Sequence, residues 1–136
     1  VNTPDDLIGE AGERRCDIEP LVQRTIVINS AMIDPKGDEA RNEWVSLHNR
    51  GNRKTSVKNW RLVDGQGREA VLDGSIASGD SLRLSGRAKG KLKLPNNGGS
   101  LILYDSRGNV IDHVTWSRPQ IRRLGEGVAF MFDRAN

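Results

Sequence analysis

The sequence has few of the residues from which reactive or cross-linked sites are built. Cys16 is the only cysteine among the 136 residues, so the chain has no internal disulfide and no thiolate cluster for zinc. His48 and His113 are the only histidines, and neither has a cysteine or a second histidine near it in the sequence. A satisfied or exposed histidine is therefore favoured over a metal ligand or a general base at both positions.

Apolar residues are also sparse, and they never form a long run. The chain is 35% hydrophobic and 4% aromatic, and no segment approaches the length of a transmembrane span or resembles a secretory signal. No glycine-rich loop precedes a helical pattern, and no serine lies in a nucleophile-elbow pattern. These absences predict a non-enzymatic domain with no cofactor or metal of its own, and they leave its compartment open.

Charge is divided unevenly along the chain, whose formal net charge is +3. Residues 1–19 contain six acids and two arginines, a net charge of −4, which leaves +7 for the remainder. We expect residues 1–23 to be an extended acidic leader or linker that can fold over a basic face, residues 24–132 to be the folded domain, and residues 133–136 to be a tail. The first residue, Val1, indicates a processed chain or a piece of a longer one.

The chain does contain a series of short alternating apolar runs separated by turn residues. Trp44 in residues 42–49 and Trp60 in residues 57–64 lie in two such runs, which we predict to be neighbouring strands of an antiparallel sheet. Further strands are predicted at residues 24–33, 68–72, 81–85, 89–95, 100–104, 110–116 and 128–132. Seven to nine short antiparallel strands with no long helical pattern predict an all-β sandwich.

Side-chain alternation also predicts which residues face the core. Val45 and Leu47 are expected to point inward and to pack with Trp60, whereas Trp44 is expected on the outer face or beneath a loop. Asp112 and His113 are adjacent in a predicted strand and would face opposite sides of the sheet, so they are not expected to cooperate in catalysis. Acids crowd one turn without EF-hand spacing, so ordinary turn residues are favoured over a calcium site at Asp34, Asp38, Glu39 and Glu43.

Several fragments of the sequence occur in the order that is typical of the lamin-tail domain. They are IDPKGD (residues 33–38), EWVSLHN (43–49), VKNWRLVD (57–64), SGDSLRL (78–84), LPNNGGSLILYD (94–105) and GNVIDHVTW (108–116). Together the fragments resemble that family over residues 25–116. Two departures are visible: Ser46 stands where a second acid is common, and Asn59 stands where glycine usually precedes the tryptophan.

The resemblance implies an immunoglobulin-like β-sandwich, as in the tails of nuclear lamins and in bacterial proteins. In bacteria such domains are often appended to secreted or surface enzymes, including nucleases, and the run after Trp116 looks more like these versions. The resemblance therefore implies a non-enzymatic binding module whose partner is another protein or another domain of the parent chain. Fold alone does not identify that partner.

Two basic windows without acids suggest a second function. The first lies between Trp44 and Val63 and contains Arg50, Arg53, Lys54, Lys58 and Arg61. The second lies between Ser81 and Tyr104 and contains Arg83, Arg87, Lys89, Lys91 and Lys93. If both windows share one side of the sandwich, they could bind nucleic acid or another anionic surface. The alternative is that the lysines of the second window protect an edge strand from aggregation.

Three functions therefore remain open from the sequence. The first is an interaction module for a protein or an adjoining domain, the second is an electrostatic binder of nucleic acid or an anionic surface, and the third is an accessory domain of a larger hydrolase or nuclease. The oligomeric state is not predicted.

Overall fold

The computed structural model describes residues 25–37 and 42–134. The leader prediction for residues 1–23 therefore lies outside the described residues. The strands are β1 (Ile26–Met32), β2 (Trp44–Asn49), β3 (Thr55–Ser56), β4 (Arg61–Asp64), β5 (Glu69–Val71), β6 (Ser75–Ile76), β7 (Ser81–Ser85), β8 (Gly98–Tyr104), β9 (Val110–Ser117) and β10 (Phe130–Met131). Two short helices accompany them, α1 (Gly86–Lys89) and α2 (Arg118–Leu124).

The strands form two four-stranded sheets and a two-residue ladder. Sheet A has the order β10-β1-β2-β7, sheet C has the order β5-β4-β8-β9, and β3 pairs with β6 in sheet B. Neighbouring strands within each sheet are antiparallel. The predicted immunoglobulin-like β-sandwich is therefore confirmed, and three of its strands, β3, β6 and β10, are only two residues long.

One hydrophobic core lies between sheets A and C. Alternation along each strand turns every second side chain inward, which is why short strands with modest apolar content suffice to build it. Sheet A contributes Ile26, Ile28, Ala31, Val45, Leu47 and Leu84, and sheet C contributes Leu62, Ala70, Leu101, Leu103, Val114 and Trp116. The predicted inward orientation of Val45 and Leu47 is confirmed, because neither side chain is exposed.

The prediction that the two tryptophan-bearing strands are neighbours is wrong. Trp44 lies in β2 of sheet A, whereas the strand that follows Trp60 is β4 of sheet C. The connecting chain crosses from one layer to the other through β3 and a turn in which Asn59 has a φ of 64°. Trp60 still packs against the core, as expected, but only with part of its surface.

The predicted strand at residues 89–95 is also wrong. Residues Gly86–Lys89 form the one-turn helix α1, and no strand follows it before Gly98. Glycines at both ends of α1 have positive φ, 53° at Gly86 and 61° at Gly90, which interrupts an extended backbone. Leu92 and Leu94 nevertheless reach the core, so their alternation reflects burial without sheet pairing.

Helix α2 occupies a region that the sequence pattern left without an element. Ser117 caps it by accepting a hydrogen bond from the Gln120 N–H, and the Gln120 side chain accepts in return from the Ser117 N–H. Pro119 in the first turn fixes a helical φ. Within the described part of the chain, no helix is long and apolar enough to cross a membrane.

Candidate interaction surfaces

Asn49, at the end of β2, shapes the basic loop that follows it. Its side chain is fully buried, and its amide donates at 2.8 Å both to the Arg53 carbonyl and to the Ile76 carbonyl. Its Oδ1 accepts from the Gly51 N–H at 2.9 Å. Because this one buried side chain binds two backbone groups of the loop and anchors them to β6, the loop of residues 50–54 has a defined shape.

A groove of about 390 Å³ lies beside this loop. Residues 51–56, Thr25 and Trp60 line it. Trp60 is half-buried, so part of its indole is available in the groove, while Arg53 and Lys54 are exposed. The left-handed backbone of Asn59, which asparagine tolerates better than most residues, precedes Trp60 at the position where glycine was expected.

The outer face of sheet A carries large apolar side chains around small polar ones. In the strand register, Met131, Ser30, Ser46 and Arg83 form one row across β10, β1, β2 and β7. Directly paired residues share a face, so this row points away from the inward pair Ala31 and Val45. The next row contains Met32, Trp44 and Ser85.

Trp44 and Arg83 form a cation–π pair on this outer face. The Arg83 guanidinium carbon lies 3.8 Å from the centroid of the Trp44 ring. Trp44 is half-buried, in agreement with its predicted outer orientation. Met131, in the edge strand β10 at the other end of the same face, is 62% exposed. The face therefore presents an indole, a guanidinium and a thioether to solvent.

Arg61 of the first basic window and Arg83 of the second lie on different sheets. Arg61 pairs in register with Tyr104 and Val71 on the outer face of sheet C, where it contacts Glu69 at 3.2 Å and lies 5.3 Å from the Tyr104 ring centroid. Arg83 is on the outer face of sheet A. These two arginines thus face opposite sides of the sandwich and cannot contact one flat partner together.

The other candidate anion-binding residues of the two windows lie in several different loops. Arg50, Arg53 and Lys54 follow β2, and Lys58 follows β3; all four are exposed. Burial first, and then the charge of Arg50, lower the pKa of Arg134. On and after α1, the exposed candidate anion-binding residues are Arg87, Lys91 and Lys93.

Lys89, one of the candidate anion contacts, has its ammonium inside the protein and is not accessible to an anionic partner. Its side chain is 6% exposed, and Nζ donates to the Leu92 carbonyl at 2.6 Å. Glu43, whose side chain is 9% exposed, lies 3.5 Å away and forms a salt bridge with it. The sequence pattern did not predict this ion pair, since its two residues are separated by 46 positions. A cleft of about 490 Å³ opens next to the pair, between Glu43 and residues 89–97.

Asp64 connects the turn after β4 with the segment after α1. Its carboxylate accepts from the N–H groups of Gln66 at 2.8 Å, Arg68 at 3.0 Å and Lys93 at 3.1 Å. Burial raises the pKa of Asp64, but these hydrogen bonds and the charge of Arg68 outweigh it, so the pKa lies below its ordinary value of 3.8. The carboxylate therefore organises two loops as an anion.

The structure brings together no acid–base pair at the positions that were considered for chemistry. Asp112 is buried while His113 is exposed, in agreement with the prediction that they face opposite sides. His48 Nδ1 is 3.0 Å from Ser81 Oγ. Within residues 25–37 and 42–134, no three His, Cys, Asp or Glu side chains cluster as metal ligands. Asp38 and Glu39, two members of the crowded turn, lie outside the described residues.

Two antiparallel four-stranded sheets around one core define an immunoglobulin-like β-sandwich. The profile of the Lamin Tail Domain family matches residues 21–118, and the chain belongs to this family. The family is an immunoglobulin-like, non-enzymatic one. No curated protein sequence matches the chain.

Proposed function

We propose that this lamin-tail domain is a non-catalytic interaction module that binds a protein, or another domain of its parent chain, on the outer face of sheet A. The observation that supports it is the Trp44–Arg83 stack, with 3.8 Å between guanidinium carbon and ring centroid, on a face that also presents Met131 at 62% exposure. Trp and Arg are the residues most enriched at the energetic centres of protein interfaces, and Met is enriched as well.

The stack also lowers the entropic cost of binding. A free arginine on a surface loses side-chain conformational freedom when a partner immobilises it, by about 0.5–1.5 kcal/mol per side chain. Arg83 is already held over the Trp44 ring, so less of that cost remains. Met32 and Met131 can change rotamer to fit a partner, because methionine is unbranched. A rigid pair flanked by adaptable side chains is well suited to protein recognition.

A role as an accessory domain of a larger enzyme is compatible with the same surface. In that case the docked partner would be a catalytic domain of the parent chain, and the chemistry would lie outside these residues. Origin in a bacterial protein stays an expectation from the sequence resemblance.

The test is site-specific photo-crosslinking in the intact native protein. A benzophenone side chain placed at Met131 should form adducts with a defined peptide of one protein partner, identified by mass spectrometry. The matched control is Val71, which is 59% exposed on the outer face of sheet C. Equal labelling from both positions, or adducts with nucleic acid alone, would contradict the proposal.

Affinity for the crosslinked partner then tests the stack itself. Trp44→Ala and Arg83→Ala should each weaken binding by about tenfold or more, as hot-spot residues do. Thr115→Ala, an exposed position on β9, should leave the affinity unchanged. Circular dichroism of each variant separates loss of binding from loss of fold.

A further inference from the structure

The groove beside Trp60 combines an indole with cations on a rigid loop. Arg53 and Lys54 line the groove together with the half-buried Trp60. Asn49 fixes the loop by its bonds to Arg53 and Gly51, and the Ser78 hydroxyl donates to the Gly51 carbonyl at 2.6 Å. An aromatic surface beside two cations favours a ligand that has both apolar and anionic groups.

The chain enters the domain at this groove. Thr25 is one of the lining residues, and its carbonyl accepts from the Arg50 N–H at 2.9 Å. Gly51 packs so closely on Thr25 that an added Cβ would lie 2.9 Å from the Thr25 Cβ. The residues that precede Thr25 therefore start at the edge of the groove, whatever path they follow.

The preceding segment has the opposite charge to the groove. Residues 1–19 carry a net charge of −4, whereas residues 50–58 contain four cations and no acid. The stretch Asp17-Ile18-Glu19 also supplies an apolar side chain between two carboxylates. In an extended chain the two carboxylates would share one side and Ile18 would point to the other, so a single short segment could meet both the cations and the indole.

We propose that the acidic segment of residues 1–19 binds in this groove, with Asp17 and Glu19 at Arg53 and Lys54 and with Ile18 at Trp60. This inference concerns a different surface from that of the proposed function and does not depend on it. Five residues separate Glu19 from Thr25, and the six Cα–Cα steps have an extended reach of about 20 Å, which is ample for a groove whose lining includes Thr25. A short tether gives an effective concentration in the millimolar range, so even a weak contact would be populated.

Cys16, the only cysteine, allows the proposal to be tested in the full chain. A nitroxide on Cys16 broadens NMR signals that come near it, and we expect charge-dependent broadening of the amides of residues 51–56 and of the Trp60 indole. A tethered random coil would also visit this region, because nine residues give an r.m.s. span of about 17 Å. The decisive quantity is therefore the difference between variants, measured at low salt.

Arg53 and Lys54 are exposed, so substitutions there should retain the fold. Asp17→Asn with Glu19→Gln, and separately Arg53→Glu with Lys54→Glu, should each lower the ratio of bound to free segment by about fivefold, the effect of two exposed ion pairs. A variant that combines Arg53→Glu and Lys54→Glu with Asp17→Lys and Glu19→Lys restores the opposite charges. In this variant the broadening should recover. Arg107→Glu, in an exposed turn after β8, is the matched control and should change nothing.

Three results would overturn the proposal. Broadening that is identical in all variants and at high salt would show that the segment has no preferred site. Broadening centred on Trp44 and Met131 would place the segment on sheet A instead. Broadening that grows with protein concentration would show that the acidic segment binds a second copy of the chain.

Discussion

The carboxylate of Asp112 accepts a hydrogen bond from the Ile28 N–H at 2.7 Å, and this bond joins the two sheets of the sandwich. β10 pairs with β1 only at Ser30 and Ala31, so Ile28 lies beyond the end of that ladder. Asp112 supplies the acceptor that β10 does not provide. The same carboxylate accepts from the His113 N–H at 2.9 Å and from the Arg134 guanidinium.

Removing the Asp112 side chain should destabilise the domain. Asp112→Ala leaves the buried Ile28 N–H without its acceptor and Arg134 without its anion, so we expect a loss of about 2–4 kcal/mol in the free energy of unfolding, measured by urea denaturation. Asp112→Asn retains one acceptor oxygen and should cost less. His113→Ala is the control, since His113 is exposed, and a loss as large in this variant would contradict the assignment.

The Lys89–Glu43 pair makes a second stability prediction. Lys89→Met removes the buried ammonium that pairs with the Glu43 carboxylate, whose side chain is 9% exposed, and should cost about 3–5 kcal/mol in the free energy of unfolding. Lys91→Met, two positions away and exposed, should change stability by less than about 0.5 kcal/mol. Equal effects of the two substitutions in thermal and urea unfolding would show that Lys89 is not an internal ion-pair partner.

These residues also show what alternation in the sequence can and cannot predict. Leu92 and Leu94, which alternate with lysines in the sequence, lie in the core, because alternation reflects which side chains face inward; Lys89 departs from it, since it is buried as well. Alternation does not report which backbone groups pair: the Lys93 N–H bonds to the Asp64 carboxylate instead of a strand. The strand prediction for residues 89–95 was therefore wrong although its leucines are buried.

The assignment of strands to sheets also could not be predicted from local sequence patterns. The runs around Trp44 and Trp60 were both strands, but the sheet to which each belongs depends on long-range pairing with β1, β7 and β8. Helix α2 could have been predicted from the sequence, since Ser117 and Gln120 have capping-box spacing with a proline between them. The groove depends on the bonds of Asn49 to Arg53 in the loop and to Ile76 in β6, which no sequence period predicts.

Acid sensitivity should depend on Asp64. Its pKa is lower in the folded state than the ordinary 3.8, so the unfolded chain binds this proton more readily than the folded one. The stabilisation is therefore fully present above about pH 4 and is lost as the pH falls through the folded-state pKa. Asp64→Asn should be less stable than wild type at pH 7 and should show a shallower loss of stability between pH 4 and pH 2, measured by urea denaturation across that range.

Asp105 provides a useful comparison for this pH profile. Burial raises its pKa, but hydrogen bonds from Asn109 and the Arg107 N–H, with the charge of Arg107, lower it overall. Asp105→Asn should therefore flatten part of the same acid-dependent loss. If both single variants kept the full wild-type slope, neither carboxylate would be a source of acid sensitivity.

Binding to duplex DNA, the alternative suggested by the charge, should be weak and only mildly salt-dependent. Arg61 and Arg83 face opposite sides and Lys89 is buried, so a single loop such as the one after β2 offers three exposed cations, Arg50, Arg53 and Lys54. Three phosphate contacts correspond to a slope of about −3 in a plot of log affinity against log salt, whereas ten would give about −9. Gel-shift titrations from 50 mM salt upward measure the slope. No shift at 50 mM salt would remove this function altogether.

Asn49 should be essential to the loop that carries these cations. Asn49→Ala leaves the Arg53 carbonyl, the Ile76 carbonyl and the Gly51 N–H without their partner, so we expect a loss of about 2–4 kcal/mol in the free energy of unfolding. Asn49→Asp keeps the acceptor for Gly51 but loses both donors and buries a charge, so it should be at least as damaging. Asn52→Ala, exposed in the same loop, is the matched control. Hydrogen exchange at residues 51–56 should accelerate in the Asn49 variants relative to sheet C, and unchanged exchange there would show that the loop is held by other contacts.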